Sequence, residues 1–371
     1  MKAGLILENG SFYEGLPIGK KGDGIGEVVL NTAVVGYQEM MTDPANAGKI
    51  LVLTYPLIGN YGISDNFYES SRCWLAGLII KESSRIYSNW QAKSSFGDFL
   101  KKEEIITLSE IDTRTLAVEI RDNGQICGMI SSAGASKEAL EKIKEHRQAG
   151  KADFIKHISV KKMTEVTKGL SGPNIAVIDL GMQNSFTRQL KRLGCNITLF
   201  PYSVNADEML SMRFDGLIVS NGPEDDRSTP QIVDTVGKLI GKLPMMGIST
   251  GHEILGLACG AKLKKMRVGH HGVNYPVKSD DPDSYTGEIT VQNHSFVIDD
   301  EPIKDNADIR ISSRNINDHT IEAMGSETLR FISVQYYPSS PGFDEVNKAF
   351  VKFLKMMPRR KQPKEVQHAE T

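Results

Sequence analysis

The sequence predicts an α/β protein in which a β-rich amino-terminal domain is followed by a domain built on a mainly parallel sheet. Three observations carry this expectation. At 371 residues the chain exceeds the usual size of one hydrophobic core, and its 40% hydrophobic residues can fill two. Short β-prone runs separated by glycine and proline turns occupy the first third. From residue 174 onward strands alternate with helices, the texture of βαβ units.

In the first half, strands are expected over 2–7, 27–32, 50–54 and 75–80. Gly22-Asp23-Gly24-Ile25-Gly26 looks like a phosphate loop, but it opens no helix and lacks the lysine-serine ending of a P-loop. A hairpin is expected there. A helix is expected over 136–147, where Leu140 and Ile143 share one face of a charged segment. The domains implied are 1–150 and 174–357, joined by a polar linker at 151–173 that ends on Gly172-Pro173. The second domain begins as strand 175–179, helix 185–193, strand 196–200, helix 206–212 and strand 216–220. Residues 358–371 are charged and without periodic apolar positions, so a disordered tail is expected.

Composition excludes several classes of function. With 44 Lys+Arg against 46 Asp+Glu the formal net charge is −2, so no overall basic field draws the chain to nucleic acid. The longest apolar runs, such as 74–80, are strand-length and far too short to span a membrane. Neither nucleic acid nor membrane is expected as a partner. Cys73, Cys127, Cys195 and Cys259 form no C-x-x-C pair and no zinc-spaced Cys/His cluster, and residues 1–10 do not read as a secretory signal. A reduced, cytoplasmic protein is expected. No metal site is expected either, because adjacent His270 and His271 cannot grip an ion as an i, i+4 helix pair does, and a structural turn suits them better. Cys259, in the apolar run 254–259, reads as a small buried residue.

The chemistry centres on Ser249. Met245-Met246-Gly247-Ile248 reads as an apolar strand, and Gly247-Ile248-Ser249-Thr250-Gly251 matches G-x-S-x-G, the sharp strand-to-helix turn on which several hydrolases present a nucleophile. A hydroxyl needs a base within hydrogen-bond reach, itself oriented by a third group. In the α/β-hydrolase order, acid and histidine follow the serine, which nominates Asp300 and His319. Neither falls at an expected strand end, so this hydrolase reading is the lesser one.

Other motifs point elsewhere. Gly36-Tyr37-Gln38-Glu39, Thr42-Asp43-Pro44, Thr54 to Gly62 (TYPLIGNYG) and Ile111-Asp112-Thr113-Arg114 resemble the amino-terminal domain of the carbamoyl phosphate synthase small subunit. Ser220-Asn221-Gly222-Pro223, Gly269-His270-His271-Gly272 and Gln292-Asn293-His294 resemble its class I glutamine amidotransferase domain. In that family a cysteine at the elbow attacks glutamine, a histidine acts as base, and a glutamate two residues later orients it. The freed ammonia passes to a large subunit that makes carbamoyl phosphate with ATP. The resemblance therefore implies a large-subunit partner, a place in pyrimidine or arginine biosynthesis, and ATP and Mg held only by the large subunit, with no cofactor in this chain.

Carried over by motif, the cysteine position is Ser249, the histidine Tyr337 and the glutamate Ser339, so all three members of the triad are replaced. The glutamine pocket implied by the resemblance comprises Ala45, Gly222, Glu224, Thr250, Glu253, Asn293, Ser295 and Phe296. It departs from the family pattern as well. S-N-G-P-G-D-P has become Ser220-Asn221-Gly222-Pro223-Glu224-Asp225-Asp226, and G-H-Q has become Gly251-His252-Glu253. Q-N-H-G-F has become Gln292-Asn293-His294-Ser295-Phe296, and the serine after Asp-Pro has become Ala45. A phenol with an ordinary pKa near 10 does not replace imidazole as a base, and a serine lacks the acidity and polarizability of a thiol. The expectation is a family member without glutaminase activity, serving as structural or regulatory partner of an ammonia-using large subunit. The alternatives are a hydrolase using Ser249 and a module that binds another small molecule in the altered, acidic pocket.

Overall fold

A computed structural model describes residues 3–281, 286–299, 301–342 and 344–357. Two large sheets organise it. The first, formed from the amino-terminal third, runs in the order Phe12–Glu14, Gly4–Leu7, Ile126–Ser131, Gly24–Asn31, Ile50–Leu53, Gly77–Ile79, Ile106–Ser109, Leu16–Gly19. Its centre is parallel, from Gly24–Asn31 through Ile106–Ser109. The run Ile50–Leu53 is buried at every residue because side chains cover both faces, which is why its sequence is continuously apolar rather than alternating. The helix Lys137–Gln148 starts where the Ser136 hydroxyl accepts the Ala139 N–H at 3.1 Å. It lays Ala139 and Ile143 on Ile6 and Met129, with Leu140 at the edge of that contact.

The glycine-rich segment 22–26 is not a hairpin. Leu16–Gly19 pairs with Ile106–Ser109, whereas Gly24–Asn31 pairs with Ile126–Ser131 and Ile50–Leu53. The turn carries the chain from the sheet edge to its interior, and the glycines serve close backbone approach. A Cβ on Gly24 would lie 2.2 Å from the Ala76 carbonyl oxygen, and one on Gly26 would lie 2.1 Å from that of Gly48.

The second sheet runs Thr164–Thr167, Asn196–Pro201, Asn174–Asp179, Gly216–Val219, Met245–Ile248, Phe331–Val334, Ile321–Ser326, Arg310–Asn315, Lys262–Ser279, Gly287–Asp299. The strands from Asn196–Pro201 to Phe331–Val334 are parallel, and those after it are antiparallel. Residues alternate between two cores: Ala176 and Ile178 pack with Leu217, Met245 and Leu255, while Ile175 and Val177 pack with Phe186, Met246 and Phe350. Segment 151–173 is more ordered than its polar sequence suggests. It contains the short helix Ile155–Ile158 and the strand Thr164–Thr167, which pairs antiparallel with Asn196–Pro201. Carboxylates of the second half hold it: Asp226 accepts the N–H groups of Phe154 and Ile155 at 2.6 and 3.1 Å, and Asp179 accepts that of Val160 at 2.9 Å. Order that comes from distant carboxylates leaves no local periodicity. The tail expected at 358–371 lies outside the described residues, none of whose helices is long and apolar enough to cross a membrane.

Candidate active site

Ser249 stands at the carboxyl end of Met245–Ile248, a fully buried strand between Gly216–Val219 and Phe331–Val334. Its N–H continues the ladder to the Val334 carbonyl at 2.8 Å, then the chain reverses into the helix Thr250–Ala258. The turn forces φ 52°, ψ −110° on a serine, a conformation that costs roughly 1–3 kcal/mol. Gly251 is required because a Cβ there would lie 1.9 Å from the Val219 carbonyl oxygen. The nucleophile elbow is thus built in full. The Ser249 side chain is buried and caps no backbone N–H, and among the described residues no hydrogen bond links its hydroxyl to a base. His252, one turn along the helix, directs Nδ1 to the Ser333 hydroxyl at 2.8 Å, and burial pulls its pKa down to about 3.

Tyr337 follows the neighbouring strand, Phe331–Val334, and its ring packs edge-on against Phe186. Its hydroxyl donates to Asp43 Oδ2 at 2.7 Å. Asn293 Nδ2 reaches that same oxygen at 3.0 Å, Asn46 Oδ1 at 3.1 Å and the Tyr337 oxygen at 3.3 Å. Burial first, and the Asp43 charge second, hold the phenol well above its ordinary range, so it keeps its proton. Half-buried Ser339 is engaged through its backbone: its N–H bonds the Tyr337 carbonyl at 2.8 Å and its carbonyl accepts Asn347 Nδ2 at 2.9 Å.

Glu224 leaves the loop after Gly216–Val219 with its side chain only 5% exposed. Its carboxylate accepts the Ser295 N–H at 2.8 and 2.9 Å and the Phe296 N–H at 3.0 Å, and lies 3.7 Å from Lys49 Nζ. Lys49 Nζ is buried and makes no hydrogen bond. Glu253, on the elbow helix, hydrogen-bonds the Glu224 carboxylate and accepts Gln335 Nε2 at 3.1 Å. Burial raises both acids, and the charge of Glu224 raises Glu253 further, while Lys49 and the two N–H groups favour the ionised form of Glu224. Glu253 is therefore the neutral acid of the pair and donates to Glu224.

A carboxyl whose pKa is raised on folding contributes stability below its unfolded pKa and loses it as pH rises toward the folded value. Glu253→Gln keeps a donor and an acceptor in place without that liability. It should leave stability near pH 4.5 little changed and raise it above wild type by up to about 1.4 kcal/mol per pH unit thereafter. Urea unfolding at four pH values between 5 and 8.5 measures the difference, and a pH-independent difference would show that Glu253 folds ionised.

The other pocket positions are tied into the same array. The Thr250 hydroxyl donates to the Gly222 carbonyl at 2.6 Å, and the Ala45 N–H donates to Asp43 Oδ1 at 3.0 Å. Gln125 Nε2 donates to the Ser295 hydroxyl at 2.9 Å and lies 3.1 Å from His271 Nε2, whose Nδ1 meets Asn293 Oδ1 at 2.8 Å. Asp43, Asn46, Lys49, Gln125 and Gln335 are participants that sequence reasoning did not assign. Asp43 lay inside a quoted motif, but the other four carried no local signal. His270 and His271 lie on the strand Lys262–Ser279 rather than in a turn. Gly269, at φ 77°, absorbs the register shift that precedes them and lets pairing resume at His270. His319 is exposed between the strands Arg310–Asn315 and Ile321–Ser326, and Asp300 lies outside the described residues. Cys259 is half-buried at the end of the elbow helix, where burial lifts its thiol to about 11.

Comparison with known proteins agrees with this architecture. The profile of the carbamoyl-phosphate synthase small chain, CPSase domain, matches residues 5–130, and that of glutamine amidotransferase class-I matches residues 176–356. The chain is 37% identical over 360 residues to the carbamoyl phosphate synthase pyrimidine-specific small chain of Bacillus subtilis, covering 96% of each. It is 38% identical over 362 residues to the carbamoyl phosphate synthase small chain of Chlorobaculum tepidum, covering 96% of this chain and 98% of the relative. Similarity of this extent, across both sheets, places the chain in the carbamoyl phosphate synthase small-chain family.

Proposed function

We propose that this chain is a carbamoyl phosphate synthase small subunit, or a paralogue of one, that does not hydrolyse glutamine and acts as structural or regulatory partner of a large subunit fed by free ammonia. The observation that carries the proposal is the Tyr337 hydroxyl: it is spent on Asp43, and among the described residues no base is hydrogen-bonded to the hydroxyl of Ser249 on its elbow. Glu224 argues the same way, because its carboxylate already occupies the Ser295 and Phe296 N–H groups that line the pocket. That self-occupation also counts against a second small molecule being held there. ATP and Mg belong, on this reading, to the large subunit alone, and the complex works in the cytoplasm.

A retained fold without its chemistry is most simply explained by a retained interface. The first half carries Ile86 and Trp90, 81% and 90% exposed, together with exposed Val34 and Val35. Burial of roughly 1,200–2,000 Å² would keep two subunits together at micromolar concentration. Co-expression with the large subunit of the same organism is expected to give co-elution on size exclusion. That complex should make carbamoyl phosphate from ammonia and none from glutamine. Separate elution of the two chains would end the partner reading.

A further inference from the structure

We propose that His270, His294 and Glu322 form a binding site for one divalent transition-metal ion, with zinc(II) the ion their chemistry fits. This inference is independent of whether glutamine is hydrolysed. His270 and His294 are direct cross-strand partners on Lys262–Ser279 and Gly287–Asp299, and Glu322 projects from Ile321–Ser326. One potential ligand atom from each residue, an imidazole nitrogen or a carboxylate oxygen, lies within 4.8 Å of the other two, and all three residues are buried. The two imidazoles stand edge to face with centroids 5.0 Å apart, so one ion can reach a nitrogen of each.

The hydrogen bonds around the cluster leave lone pairs facing inward. Asp318 Oδ2 lies 2.9 Å from His270 Nε2, which puts the proton on that nitrogen and leaves Nδ1 as an acceptor. His270 Nδ1 has no hydrogen-bond partner and sits 3.9 Å from Glu322 Oε1. Asn315 Nδ2 donates to Glu322 Oε1 at 3.0 Å, while Oε2 of the same fully buried carboxylate has no partner of good hydrogen-bond geometry, although the nearby Gln292 amide favours its ionised form. His294 donates through Nδ1 to the Phe296 carbonyl at 2.8 Å, so its Nε2 is also an acceptor, and the atom facing it is Gln292 Oε1. Two acceptors pointed at each other repel. The two atoms are too close for an ion to lie between them as they stand, so metal binding requires the Gln292 amide to draw back, whereas turning that amide over removes the conflict without a metal.

Orphaned buried acceptors are costly, at about 1–3 kcal/mol each, and a cation satisfies His270 Nδ1, Glu322 Oε2 and His294 Nε2 together. Two imidazoles and a carboxylate suit zinc, with Gln292 Oε1 or water as fourth ligand. Calcium and magnesium favour all-oxygen sets, and copper(I) favours sulfur. The Asp318–His270 contact is the carboxylate–imidazole pairing that orients metal-bound histidines. The role is structural, because His271, Asn293 and Ser295 sit beside the ligands in sequence, so an ion here would fix the strands that present them to the first half.

The full-length chain, purified without metal-affinity resin, should be stripped with chelator, reloaded with zinc, desalted, and its metal content measured. About one zinc per chain is expected, and zinc should raise the thermal midpoint. Glu322→Gln, nearly isosteric and checked for folding by near-ultraviolet circular dichroism, should weaken binding at least 100-fold. Asp318→Asn should weaken it by 10–100-fold. Cobalt(II) should give the visible absorption of a tetrahedral nitrogen/oxygen site in the wild type alone. Retention of less than about a tenth of an equivalent by the wild type would overturn the proposal, leaving the turned Gln292 amide as the resolution. Equal retention by folded Glu322→Gln would overturn it too, placing the metal on other side chains.

Discussion

Ser249→Cys alone will leave glutamate release from glutamine at the background of the unmodified protein. A thiol with no base beside it stays near its free pKa of about 8.5, and at a site this buried it is pushed higher still. Members of a triad act as a unit, and losing one costs nearly what losing all does, on the order of a million-fold in a serine protease. Adding Tyr337→His and Ser339→Glu supplies base and orienting acid but leaves the Glu224 carboxylate on the Ser295 and Phe296 N–H groups, so only weak turnover is expected. Adding Glu224→Gly empties those donors and should raise turnover at least tenfold over the triple variant. The assay is glutamate release over hours at high protein concentration. Substantial activity in Ser249→Cys alone, or wild-type activity abolished by Ser249→Ala, would overturn the reading of an inactive site.

The order of strands and helices around Ser249 was legible because it is local. The apolar run at 245–248, the glycines around the serine and the alternation from residue 174 each follow from neighbours in sequence. The residues that stand at the positions of the family's triad, Ser249, Tyr337 and Ser339, were legible as well, and the proposed absence of glutaminase activity rests first on those identities. What the replacements do instead was not legible. Tyr337 meets Asp43 across 294 positions, and Asn293 meets it across 250. No periodicity encodes such pairs. Glu224 was legible as a departure from the family pattern at a pocket position, but nothing local showed that two backbone N–H groups and Lys49 would receive its carboxylate. Glu253 was likewise placed in an acidic pocket, but nothing local showed its burial against Glu224, which raises its pKa and makes it the donor of the pair.

The substituted positions now fasten the two halves of the molecule together, and breaking those fastenings should uncouple them. Tyr337 and Asn293 bind Asp43, Glu224 faces Lys49, and Ser295 receives Gln125, so three of the positions altered from the family pattern reach across the junction. Tyr337→Phe removes only a hydroxyl and leaves the buried Asp43 one donor short, which is expected to cost about 1.5–3 kcal/mol. Glu224→Gln leaves the Lys49 ammonium buried without its counter-charge, at about 3–5 kcal/mol. Lys49→Met added to Glu224→Gln should recover much of that loss, since both charges then go together. Both tryptophans, Trp74 and Trp90, lie in the first half, so their fluorescence reports it alone, while backbone circular dichroism reports the whole. The wild type should unfold in one coincident transition in urea. Tyr337→Phe/Glu224→Gln should show the fluorescence and dichroism transitions moving apart. Coincident transitions in that variant, with less than about 0.5 kcal/mol lost, would mean that the altered positions fill space without joining the halves.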